Sequence, residues 1–253
     1  MKRLRNLTKH SPDKSVYLFG RACSGFTIVE LVIALFVSLM IMATVLSIYI
    51  TQMRRYTAHD DLAGIQQNLR GALLLLPLEI RLAGCDPAEF HQAGITQATA
   101  TRFGFSRDIS GGAVNPNEAD GNVLGANERI AYGFKVGVDA NNDGIIDNGG
   151  SNWSGTGDLG RDIGSGMQPL AENIEAIEFN YFLSDGSTSL APTNLNDIRQ
   201  VQISLLARAS TPTANYTNSR TYTTGSGTIW DPPDDNFKRR LIVTNIQLRN
   251  MGY

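Results

Sequence analysis

An α+β fold is predicted, with a long N-terminal helix packed on an antiparallel β-sheet head, and three features of the 253-residue sequence carry that prediction. The run Phe26–Ile50 holds a single charge, Glu30. After it, apolar side chains return at helical spacing as far as Ala83. From residue 85 onward, short apolar runs alternate with Gly, Asn, Asp, Ser and Thr, the composition of strands joined by turns. At 42% hydrophobic and 18% charged residues, the chain falls outside the disordered and collagen-like classes. A net charge of −2 supplies no basic field for gripping a nucleic acid.

Residues 1–25 read as a basic leader, with Lys2, Arg3, Arg5, Lys9, Lys14 and Arg21 against Asp13. Removing them leaves the remainder net acidic. About 20 apolar residues cross a bilayer as a helix, so 26–50 is expected to span the membrane. The six bases precede the span, and only Arg54 and Arg55 come soon after it. That asymmetry leaves the N-terminus in the cytoplasm and exports the chain beyond the span. A cleaved signal peptide has an apolar core of about 7–15 residues, and this run is longer. A carboxylate inside it costs about 2.5–3.5 kcal/mol on insertion scales, so Glu30 needs a partner.

The helix is expected over 26–84. Leu62, Ile65, Leu69, Ala72, Leu76, Ile80 and Ala83 form one stripe, and Asp60, Asp61, Gln66, Gln67, Asn68 and Arg70 place the remaining faces in water. Pro77 is expected to remove one backbone bond and kink the helix, and Gly84 to stop it. In the head, 85–253, strands are expected at 101–105, 128–136, 174–183, 198–207 and 239–248. Val201, Ile203 and Leu205 alternate with Gln202 and Ser204, which implies a sheet with one buried face.

One segment points to a ligand. Asp139, Asn141, Asp143 and Asp147 place oxygens at positions 1, 3, 5 and 9, with Gly144 at position 6 and the Ile145 carbonyl at position 7. These are the first ligands of an EF-hand-like calcium loop. Gly150 stands where a bidentate Glu belongs, and Asp158 or Asp162 is expected to supply the missing oxygen from the following loop. The competing reading is an Asn/Asp/Gly turn that binds nothing. Gly155, Gly157 and Gly160 match the spacing of a dinucleotide fingerprint without a strand and helix around them, and read as a flexible loop. His10, His59 and His91 form no ligand pair, and HExxH, GxSxG and CxxC are absent, so no enzymatic activity is expected. Cys23 lies in the leader, which leaves Cys85 without an internal partner and read as a small buried apolar residue. Lys238, Arg239 and Arg240, near Trp230 and Phe237, read as a solvated strand end, and no nucleic-acid partner is expected.

Gly25-Phe26-Thr27-Ile28-Val29-Glu30-Leu31 closely resembles the class III signal of type IV prepilins and type II secretion pseudopilins. The resemblance implies that prepilin peptidase cuts between Gly25 and Phe26 and methylates the new N-terminus. The apolar segment then stays in the inner membrane and later enters a filament core. Glu30 matches the family's acidic residue, which pairs with the N-terminal ammonium of a neighbouring subunit. The leader is longer than in many members. The segments 168–186, 198–210 and 237–250 (QPLAENIEAIEFNYFLSDG, IRQVQISLLARAS and FKRRLIVTNIQLRN), in that order, resemble the PilW branch of minor pilins, with the GspJ-type pseudopilin as nearest relative. That resemblance implies a pilin-like fold. It also implies a non-enzymatic role beside other minor pilins and the major pilin, in priming type IV pilus assembly and at the pilus tip. The head would then be periplasmic and later displayed on the cell surface. The alternatives are a minor pseudopilin of a type II secretion system and a calcium-dependent tip adhesin module.

Overall fold

The computed structural model describes residues 25–87, 89, 93–109, 119–125 and 127–252, the side chains of 54 and 56–62 excepted. His10, Cys23, His91 and the His59 side chain lie outside the described residues, as does most of the leader. The chain divides into two units, one ending at Thr51 and the other running from Gln52 to Tyr253. Helix α1, Ile28–Ile80, contributes to both.

In the first unit every described side chain is exposed, and the apolar span extends from Ile28 to Met53. Three of its hydroxyls bond within the helix: Ser38 Oγ donates to the Ala34 carbonyl at 2.8 Å, Thr44 Oγ1 to the Met40 carbonyl at 2.9 Å and Thr51 Oγ1 to the Ser47 carbonyl at 2.9 Å. Bonding back to the preceding turn lets these polar residues sit in an apolar medium without an orphaned donor.

In the second unit the sequence stripe becomes the helix side of the core. Ile65, Leu69, Ala72, Leu76, Ile80 and Ala83 are all buried. Pro77 lies inside α1, which continues past it: the Pro77 carbonyl accepts from Arg81 N–H at 3.3 Å. The helix ends at Ile80, four residues before the expected stop. Leu82 and Ala83 donate to the carbonyls three residues back, at 3.0 Å each, so the last turn tightens. Gly84 then takes φ +74°, where a Cβ would sit 2.7 Å from the Met251 sulfur.

Among the described residues the head carries ten strands: β1 (Ile95–Ala98), β2 (Arg102–Ser106), β3 (Arg129–Phe134), β4 (Gly157–Asp162), β5 (Gln168–Leu183), β6 (Thr188–Ser189), β7 (Ile198–Arg208), β8 (Tyr222–Thr223), β9 (Ile229–Trp230) and β10 (Arg239–Gln247). Seven run in the order β1-β2-β3-β4-β5-β7-β10, all antiparallel; β6 pairs with β5, and β8 with β9 separately. The five expected strands are present as β2, β3, β5, β7 and β10, with β5 beginning six residues earlier than expected. The expectation of a flexible loop at Gly155–Gly160 is corrected, because Gly157 opens β4. Its glycines make room: a Cβ at Gly157 would meet Ile146 Cδ1 at 2.8 Å, and one at Gly160 the Met167 sulfur at 2.9 Å.

Phe103, Phe105, Tyr132, Ile177, Phe179, Tyr181, Val201, Ile203 and Leu205 form the core with the helix stripe. At about 1.5–3 kcal/mol for each large apolar side chain buried, this face dominates the cohesion of the head. The opposite face is not wholly solvated as expected. Ala176, Leu206 and Trp230 form a second cluster there, with Ile145, Trp153, Tyr222 and Leu241 packed on it.

Candidate functional site

The N-terminal junction is built from few contacts. Gly25 has nothing within 4 Å of where a Cβ would stand, and it is not at a positive φ. Nothing in the fold requires glycine there. Phe26 is 85% exposed. Thr27 caps α1: its Oγ1 accepts from Glu30 N–H at 3.2 Å, and its carbonyl from Leu31 N–H at 3.1 Å. The sequence Thr-x-x-Glu is the signature of a capping box, a signal the charge-pairing reading of Glu30 passed over. Here the threonine half of the box is formed, and among the described residues no side chain pairs with the Glu30 carboxylate. The helix N-terminus favours negative charge at this position, by about 0.3–1 kcal/mol in exposed settings.

At the other end of the helix, Glu79 is buried among three partners. Arg161 Nε donates to its Oε2 at 2.8 Å and Nη2 to its Oε1 at 2.6 Å; the Tyr132 hydroxyl donates to Oε2, and Arg107 Nη2 lies 3.8 Å from Oε1. Burial pushes the Glu79 carboxyl up, but the bonds from Arg161 and Tyr132 and the charges of Arg161 and Arg107 outweigh it, and it titrates below its ordinary value. Burial and the Glu79 hydrogen bond raise Tyr132. Asn68 adds a second tie, accepting from Glu172 N–H at 3.0 Å and donating to the carbonyl of the same residue. Helix and sheet are thus joined by directional bonds as well as by apolar packing.

A second buried cluster holds the C-terminal strand. Arg239 Nε donates to Glu175 Oε2 at 2.5 Å and Nη2 to Oε1 at 3.0 Å; its Nη1 and Nη2 each reach Asp235 at 2.6 Å. Arg208 Nη1 reaches Glu175 Oε1 at 3.0 Å and stacks 4.1 Å over the Phe237 ring. Burial alone would raise Asp235, but its bonds from Arg239 and from Phe237 N–H hold it below its ordinary value. The expectation of a solvated basic strand end is therefore corrected: Arg239 is fully consumed inside the fold, and Arg240 is exposed. Cys85 is half-buried, not buried as expected, and burial followed by the charges of Asp108 and Asp86 raises its thiol against the pull of Arg107.

The Asp139–Asp147 loop is tied mainly by its own backbone. Asp139 Oδ1 and Oδ2 accept from the N–H groups of Asp143 and Gly144 at 3.2 and 3.0 Å, and Asp143 Oδ1 from Ile145 N–H at 2.9 Å. Asp147 accepts from Ala140 N–H at 3.1 Å and Gly149 N–H at 2.9 Å. Those bonds, Gly149 first, hold its carboxyl below the usual value. Asn141 donates its amide nitrogen to the Asp143 carboxylate at 3.0 Å, and its oxygen accepts from Asp143 N–H at 3.1 Å. Among the described residues no three His, Cys, Asp or Glu side chains converge as a metal set. Asp158 and Asp162 lie on β4, where Asp162 Oδ1 accepts from Gly164 and Gly166 N–H, so neither belongs to a following loop. Gly144 has a second reason to be glycine. At φ +84° its carbonyl accepts from Ile177 N–H at 2.8 Å, and a Cβ would stand 2.3 Å from the Ile177 carbonyl oxygen.

Comparison with known proteins adds a family to this geometry. The model of the family described as Type IV Pilus-assembly protein W matches residues 153–250. Over that stretch the chain is similar to this family. The matched stretch contains β4, β5, β7 and β10, and with them Arg161, Glu175, Arg208, Asp235 and Arg239 of the two buried clusters. A type IV-like pilin from Thermus thermophilus is similar in structure, at 16% identity and a TM-score of 0.40, over 73% of this chain and 96% of that one. No curated protein matches the sequence. The described residues combine a membrane-length apolar helix with an antiparallel sheet, the α+β arrangement expected from the sequence.

Proposed function

We propose that the chain is a minor pilin, made as an inner-membrane prepilin with its N-terminus in the cytoplasm. Prepilin peptidase removes residues 1–25 and methylates Phe26. The mature subunit then joins other minor pilins and the major pilin to prime type IV pilus assembly and occupy the tip, acting through packing and charge pairing and not catalysis. The observation that carries this reading is Glu30, a carboxylate in the first turn of an exposed apolar helix with no side-chain partner among the described residues. In a bilayer such a charge is costly unless a cation from another chain meets it. Cleavage after Gly25 would create that cation, an ammonium at the N-terminus of a neighbouring subunit. The same signal would serve a pseudopilin of type II secretion, and the match to a pilus-assembly family over 153–250 favours the pilus.

Mass spectrometry of the membrane-extracted protein is expected to find a chain beginning at methylated Phe26. An intact leader in cells that carry prepilin peptidase would overturn the assignment. Glu30→Val is expected to insert normally yet fail to restore piliation in a strain lacking the wild-type subunit, and full restoration would refute the pairing. Calcium at the Asp139–Asp147 loop is a separate proposal. It is supported by the spacing of Asp139, Asn141, Asp143 and Asp147; burial first, then the charges of Asp143 and Asp147, push Asp139 up, and a bound cation would oppose that.

A further inference from the structure

The two edges of the main sheet are built differently. β1 has four residues, its register against β2 is irregular between Ile95 and Gln97, and it lies against the 3-10 turn Leu195–Asp197. Short, irregular edges are the usual protection against unwanted pairing. β10 has nine residues in unbroken register with β7, from Arg239 opposite Arg208 to Gln247 opposite Gln200, and among the described residues no strand lies on its other side. The ladder is prolonged by Ala209 N–H donating to the Lys238 carbonyl at 2.8 Å and Leu248 N–H donating to the Arg199 carbonyl at 2.9 Å. Antiparallel pairs alternate, so even-numbered residues of β10 turn their N–H and C=O groups to β7. Arg239, Leu241, Val243, Asn245 and Gln247 turn theirs outward, and among the described residues nothing bonds to them.

Beside this edge runs a groove of ≈ 650 Å³ between α1 and β10. Leu73 and Ile242, both half-buried against the core, give it an apolar floor. Arg70 and Arg240 stand exposed on its rim with no ion pair among the described residues. We propose that β10 is an open docking edge that takes an extended, acidic strand from a second protein. That strand would pair with the outward backbone groups of Leu241, Val243 and Asn245 and set its carboxylates against Arg70 and Arg240. Backbone bonds supply affinity in this mode, and alternate side chains supply specificity. The occupant is not a second copy of the same edge. Residues 238–249 carry no acid, and Arg240 and Arg249 stand exposed at the two ends of this edge, so a second copy of it laid antiparallel would set like charges against each other. The proposal stands on the sheet edge and its charge, and does not depend on the pilus reading.

The test uses the full chain in detergent micelles and two synthetic ten-residue peptides, one alternating Val or Thr with Glu, the other with Lys in place of Glu. Residue-resolved amide hydrogen exchange is the readout. The acidic peptide is expected to slow exchange at Leu241, Val243 and Asn245 by at least tenfold, while the even-numbered amides, already held by β7, change little. The lysine peptide is expected to leave all of them unaltered. Val243→Pro deletes an outward donor and no bond to β7, and is expected to abolish the protection. The double variant Arg70→Glu, Arg240→Glu is expected to exchange preference for the acidic peptide with preference for the basic one, which keeps the proposal testable even if the proline variant does not fold. Equal binding of both peptides, binding without protection of the outward amides, or no binding of the acidic peptide would overturn it. So would a wild-type dimer that Val243→Pro dissolves.

Discussion

Glu30 and Glu79 are carried by the same helix, Glu30 in the first turn with its carboxylate unpaired among the described residues, Glu79 in the last turn with Arg161, Tyr132 and Arg107 around it. Glu79 is bound into the fold, so removing it should be felt as lost stability. Glu30 is bound by little in its own chain, so removing it should be felt in what the chain does with others. A buried charge is informative about folding when its partners lie in the same chain, and about assembly when they do not.

The largest expected effect tests the first half of that contrast. Glu79→Ala strands two arginines and a tyrosine, and breaking a largely buried pair costs about 3–5 kcal/mol. Urea unfolding of the full chain in detergent should show that loss, whereas Glu30→Gln should stay within about 0.5 kcal/mol of wild type. A stability loss of similar size for both would erase the distinction.

Backbone strain comes next. Gly144→Ala places a methyl group against the Ile177 carbonyl at a positive φ and is expected to cost about 1–3 kcal/mol in the same assay. Gly25→Ala, with open space around it, should leave unfolding unchanged while blocking removal of residues 1–25.

Acid should find the buried carboxylates. Glu79 and Asp235 titrate in the folded chain below their ordinary values of 4.5 and 3.8. Their stabilisation is therefore complete above those unfolded-state values and disappears as pH falls through the lower folded ones. The urea midpoint should hold on their account from pH 7 to about 5 and decline between about pH 4.5 and 2. Glu79→Gln should flatten part of the decline and Glu30→Gln none of it. The smallest effect is the calcium one: the melting temperature is expected to be slightly higher in millimolar calcium than in chelator, with Asp143→Ala removing the difference. Coincident curves would leave the loop a hydrogen-bonded turn.

The membrane-length helix, the stripe from Ile65 to Ala83 and the strands β5, β7 and β10 were legible from the sequence because each is a local pattern. Apolar length, a 3.6-residue period and a two-residue alternation depend only on neighbours in the chain. The resemblance at Gly25-Phe26 and the calcium-loop spacing are local patterns too, although spacing alone did not reveal that Asn141 donates its amide nitrogen to the Asp143 carboxylate or that Gly144 is required by the approach to Ile177. β4 was hidden because its glycines imitate a loop, and only the packing of Ile146 and Met167 explains them. The fate of Arg239 was hidden too. A charge run looks the same in sequence whether it meets water or a buried carboxylate, and Glu175 lies 64 positions away. Glu79 and Arg161 are 82 positions apart and meet only because α1 crosses the helix-facing side of the sheet. Local spacing is written in the chain, but which distant charges share one desolvated site is decided by tertiary packing, since only there does leaving water make each of them need the other.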